Sequence, residues 1–136
     1  MAQYPPDMAA AARRHLEAAN VLNTPQGRPD VAGYLFGIAA ECAVKAMMIE
    51  ANLWPLPNPD NRNGSPYYMH FPELRTALRD SLQGRSGTPL VKFINSDAFL
   101  SNWSTNMRYT KSESILPRWI DTWATQARDA VGAIGT

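Results

Sequence analysis

From about Asp30 to Asn52 the chain is apolar almost all the way round a helix, broken by one acid and one base, Glu41 and Lys45. A stretch of that kind predicts a central helix of a helical domain rather than a surface helix. Tyr34, Ile38, Glu41, Lys45 and Met48 fall on a single stripe, and Glu41 and Lys45 stand in the favourable acid-first i,i+4 order. Either the pair keeps an apolar helix soluble, or it faces something buried and polar. Gly33 and Gly37, one turn apart, would let a neighbouring helix approach closely, at a cost in helix propensity.

The flanking segments agree with an all-helical chain. Asp7 has the chemistry of an N-cap for the alanine-rich "MAAAARRHLEAANVL". Met8, Ala12, His15, Ala19 and Leu22 share one face of that helix. The two prolines and the glycine of "NTPQGRPD" end it. "LWPLPNPDNRNGSPYYM" is too long for a simple turn and is expected to be an aromatic-pinned loop or a mobile flap. "HFPELRTALRDSLQ" predicts a third helix stopped by Gly84. Thr88 and Pro89 suit the N-cap and first position of a short fourth helix, "PLVKFIN". "DAFLSNWSTNMRYTKSES" reads as mostly irregular. The closing helix starts near Leu116, with Leu116, Trp119, Ile120, Trp123, Ala127, Ala130 and Ile134 on its apolar side. With no β-branched alternation in competition, the expected fold is all-α: four main helices and one or two short ones, in an antiparallel up-down bundle of a single domain, 1–136.

Composition limits the function. At 136 residues with a formal charge of +1, the chain can bury a core without disulfides or metal. It lacks the broad basic face needed to grip long duplex nucleic acid. The single cysteine, Cys42, lies in the apolar run and reads as a small core residue rather than a nucleophile. No secretory leader is evident in "MAQYPPDMAAAARR", and Glu41 and Lys45 argue against a membrane span; the expected compartment is the cytoplasm. His15, His70 and one buried cysteine do not form a metal-ligand cluster. Neither a phosphate loop nor a GxSxG or HExxH motif occurs. No cofactor or metal is expected.

The candidates that remain are few. His15, inside an apolar face, suits a packed or interface histidine better than a catalytic one. His70 reads as a cap or loop anchor before the third helix. Trp119, Trp123, Met47 and Met48 read as core. Arg108, between Trp103 and Tyr109, is either a surface arginine stacked on an aromatic or an inward group meeting the polar stripe of the second helix. A guanidinium suits the second place, because its planar fork binds carboxylate or phosphate at two points.

"AARRHLEAANVL", "AGYLFGIAAECAVKAMM", "HFPEL", and then a tryptophan followed by "RY" and an amphipathic helix, resemble in that order the HEPN family of small helical domains. The likeness runs from about Ala9 to Ile134. It implies a four- or five-helix bundle, usually a homodimer. Many HEPN members are metal-independent RNases of toxin–antitoxin and defence systems. Others pair with a small nucleotidyltransferase, or bind nucleotides or RNA without catalysis. RNase members carry an arginine followed four to six residues later by a histidine. Here Arg108 takes the arginine place, but no histidine follows His70 anywhere in the chain. The resemblance therefore implies a non-catalytic, nucleotide-, RNA- or partner-binding accessory protein. Arg108, Tyr109, Lys45 and His70 are the binding candidates, with Glu41 ordering Arg108 or Lys45 beside a cleft. Cleavage would need a substitute for the missing histidine, such as Tyr109, Lys111 or His70. A structural dimer with a vestigial cleft is a third reading.

Overall fold

The computed structural model describes residues 3–82 and 89–136. Five α-helices follow in chain order: α1 (Met8–Leu22), α2 (Pro29–Glu50), α3 (Glu73–Ser81), α4 (Pro89–Ile94) and α5 (Pro117–Gly132). Single 3-10 turns occur at Pro66–Tyr68, Thr105–Tyr109 and Ser112–Ser114. The chain is all-helical, with no strand among the described residues. The expected stop at Gly84 and cap at Thr88 lie outside those residues.

Helix α2 is the core helix, packed between α1 and α5. Phe36, Ala39, Ala40, Ala43, Val44 and Met48 have no exposed surface. By length and composition α2 could cross a membrane, but 72% of its most apolar window is buried inside the protein. Against it α1 presents Ala12 and Ala19, both fully buried, and small side chains let the two backbones come close. The Asp7 carboxylate accepts the Ala10 N–H at 3.0 Å and caps α1. From the other side α5 buries Ile120, Trp123, Ala124, Ala127 and Ala130. Pro117 starts α5 at a position where its missing N–H costs nothing.

The two helix glycines have different neighbours. A Cβ on Gly33 would stand 3.0 Å from Ile120 Cγ1 and 3.2 Å from the Trp123 ring, so there a neighbouring helix, α5, does come close. A Cβ on Gly37 would stand 1.8 Å from Trp103 Nε1. What lies against Gly37 is therefore not a helix but an indole from the irregular segment before α5.

That segment is held by side chains of α5 and α2. Gln126 donates to the Ala98 carbonyl at 2.8 Å and accepts the Leu100 N–H at 3.0 Å. Together these bonds bracket Leu100, whose φ of 55° is in the left-handed region, a conformation costing a non-glycine residue about 1–3 kcal/mol. Trp123 Nε1 donates to the Ser101 carbonyl at 2.9 Å. Trp103 Nε1 donates to the Tyr34 carbonyl at 3.2 Å, and the Trp103 and Tyr34 rings stack with centroids 5.9 Å apart.

The third helix begins three residues later than its sequence suggested. His70, Phe71 and Pro72 lie outside it, and the Phe71 N–H is given to Glu41. The His70 carbonyl still accepts the Leu74 N–H at 2.9 Å.

Candidate functional site

Two polar groups sit on the stripe of α2. The first is centred on Glu41, which is 2% exposed, beside Lys45 at 5%. Glu41 Oε2 accepts from Lys45 Nζ at 3.4 Å and from His70 Nδ1 at 2.8 Å. Oε1 accepts the Phe71 N–H at 2.8 Å. A buried carboxylate with three donors is largely compensated for its lost hydration, whereas an isolated one would be severely destabilising. The helix supplies two of these residues at i,i+4, and the turn before α3 supplies the others. Phe71, buried at 2%, anchors that turn edge-on against Phe99 at 5.6 Å.

This arrangement orients one imidazole. With a carboxylate accepting at Nδ1, that nitrogen carries the proton and Nε2 is left as the outward atom. The His70 side chain is 49% exposed, so Nε2 can accept or donate at a ligand. Lys45 cannot do so: it is buried and faces Glu41, so it neutralises the carboxylate rather than a ligand.

The second group is built around Arg108, which is on the surface. Its Nε donates to the Thr105 carbonyl at 3.0 Å, and its guanidinium carbon lies 5.2 Å from the centre of the Tyr109 ring. Among the described residues no carboxylate forms an ion pair with it. Of the two partners expected for Glu41, Arg108 or Lys45, it pairs with Lys45 and forms no ion pair with Arg108 among the described residues. The Tyr34 hydroxyl feels both groups. Burial raises its pKa, the nearby Arg108 charge lowers it, and the Glu41 charge raises it. Trp103, expected to flank Arg108 as a stacking surface, is only 3% exposed and is packed in the core; Tyr109, at 81%, is the aromatic open to a ligand.

The Arg108 segment is fixed at both ends. Trp103 holds one end against Gly37 and Tyr34. At the other, the Ser112 hydroxyl donates to Asp30 at 2.6 Å, and Arg28 donates to the same carboxylate oxygen at 2.7 Å. The Ser112 bond chiefly holds the Asp30 carboxyl below its usual pKa. Between these anchors the segment walls a cavity of about 330 Å³ with Asn102, Ser104, Asn106, Thr110 and Trp119. The residues contribute hydroxyls, amides and an indole, with no charge of their own.

A second cavity, of about 470 Å³, lies between the start of α1 and the long loop after α2, lined by Arg14, Arg62, Tyr67 and Tyr68 among others. Nothing in the reading of the sequence pointed to it; the paired tyrosines of "SPYYM" were its one trace.

The chain matches no family model, no curated protein and no solved structure.

Proposed function

We propose that this chain is a single HEPN-like helical domain, an antiparallel up-down bundle, that binds a nucleotide or short RNA without cleaving it. It acts as a cytoplasmic accessory protein, in a pair with a nucleotidyltransferase of the toxin–antitoxin or defence kind. The ordered series of motifs supports the family, together with the all-helical fold and the core position of the helix carrying Glu41 and Lys45.

One observation carries the binding function. Arg108 is an exposed guanidinium with no acidic partner among the described residues, lying on an exposed tyrosine ring and following Met107, which lines an indole-bearing cavity of mixed polar and apolar wall. A phosphate needs the first feature and a base the second. The test is an anisotropy titration of labelled short RNA against the protein and its Arg108→Ala variant.

A second reading, a metal-independent RNase, is favoured by one specific geometry. His70 is oriented by a buried carboxylate, as a general acid or base would be. RNA cut in the presence of chelator, and left uncut by His70→Ala, would establish that reading in place of the first.

We propose a homodimer as well. Helix α2 is enclosed by its own chain, so the apolar surface available for pairing is elsewhere. Val21 and Val31, 77% and 41% exposed, flank the connection between α1 and α2, and this end is the proposed contact.

A further inference from the structure

The cavity at the start of α1 has a composition suited to a ligand of its own. Arg14 comes from α1 and Arg62 from the long loop, so two arginines from separate elements line it. Neither forms an ion pair among the described residues. Arg62 lies 5.0 Å over the Tyr68 ring and spends only its Nε, on the Pro59 carbonyl. The single acid in the lining, Asp7, is engaged in capping α1.

An independent observation comes from the tyrosines. Tyr67 is 1% exposed, and the buried hydroxyls of Tyr67 and Tyr68 have no hydrogen-bond partner among the described residues. Burial raises the Tyr67 pKa, so that its hydroxyl remains a donor. Buried polar groups are nearly always satisfied in folded proteins, and both hydroxyls belong to residues that line this cavity, so a bound acceptor reaching them would satisfy them.

We propose that this cavity binds a small phosphate ester carrying a flat ring, of the size of a nucleoside monophosphate. The phosphate sits between Arg14 and Arg62, where two planar forks match a dianion better than a single carboxylate would. The ring lies against Tyr68 and the open face of Tyr4, which is 83% exposed. A volume of about 470 Å³ is within the usual range for small-molecule sites. The site is separate from the one at Arg108 and does not depend on it.

The test is calorimetry with adenosine 5′-monophosphate as probe. One mole should bind per chain at this site, in addition to any that Arg108 holds, and Arg14→Gln or Arg62→Gln should each weaken that binding about tenfold or more. Arg108→Ala should leave it unchanged, so failure here is distinguishable from failure of the RNA reading. Tyr67→Phe should weaken binding without lowering thermal stability, a combination that a purely structural phenol would not give. Adenosine lacking the phosphate should bind far more weakly, and inorganic phosphate more weakly than the probe. No binding at millimolar probe, binding indifferent to both arginine variants, binding lost only in Arg108→Ala, or inorganic phosphate binding as tightly as the probe would overturn the proposal.

Discussion

Glu41 and Phe71, thirty positions apart in the chain, are joined by a 2.8 Å hydrogen bond from the Phe71 N–H to the buried carboxylate. The same carboxylate holds Lys45 and His70, so one side chain of α2 fixes the entry to α3, neutralises a buried ammonium and orients an imidazole. Replacing Glu41 by alanine leaves Lys45 buried without a counter-charge and Phe71 without an acceptor. The expected loss is about 3–5 kcal/mol, measured as a shift in urea denaturation. Glu41→Gln, which can still accept from Phe71, should lose less. An unchanged midpoint for Glu41→Ala would show that the cluster has no structural role.

Gly37 makes a sharper local prediction. Alanine there would place a methyl group on the Trp103 indole, displacing it from the Tyr34 carbonyl. Overpacking of this kind costs about 1–3 kcal/mol, and Trp103 should become more exposed to solvent, with a red-shifted fluorescence. Gly33→Ala, with its closest contact at 3.0 Å, should have the smaller effect. Equal effects at the two positions would contradict the packing described.

The all-helical fold was legible because its signals are local. Asp7, the alanines of α1, the apolar stripe of α2 and Pro117 each act within a turn or two of chain, so pattern alone placed those helices to within about two residues. Glu41 and Lys45 could be read as a pair for the same reason. From its own residues His70 read as a cap or loop anchor, and the family likeness made it a binding candidate, but its contact to Glu41 spans a tertiary interface that neither reading named. Arg108 illustrates the limit: sequence left surface and interior both open, and the structure puts it on the surface against Tyr109. The tyrosine cavity depends on the long proline- and asparagine-rich loop folding back to α1, which no periodicity encodes.

Cys42 is only partly buried, and titration tests how far its surroundings desolvate the thiol. Desolvation pushes its thiol up to about 11, although the nearby Lys45 charge opposes the shift. At pH 8 only about one thiol in a thousand is then ionised. Alkylation by iodoacetamide should be slow there and rise about tenfold per pH unit to near pH 10, beyond the point where a free cysteine levels off. The folded pKa is above the unfolded one, so this group leaves stability constant below about pH 9 and lowers it as pH rises from there towards 11. Free-cysteine reactivity at pH 8 would contradict the burial.

Dimerisation through the end carrying Val21 and Val31 predicts a mass near twice 15.1 kDa by light scattering at roughly tens of micromolar protein. Val21→Glu should shift the mass to that of one chain without unfolding it. A monomer at every concentration would rule out this contact.

The most direct measurement of the central claim is the titration of labelled short RNA, in chelator, followed by recovery of the RNA on a denaturing gel. The account predicts weak, salt-sensitive binding, a loss of about tenfold or more in Arg108→Ala with the fold intact, and RNA recovered uncut. Wild-type and Arg108→Ala proteins binding alike, or RNA recovered as fragments, would contradict it.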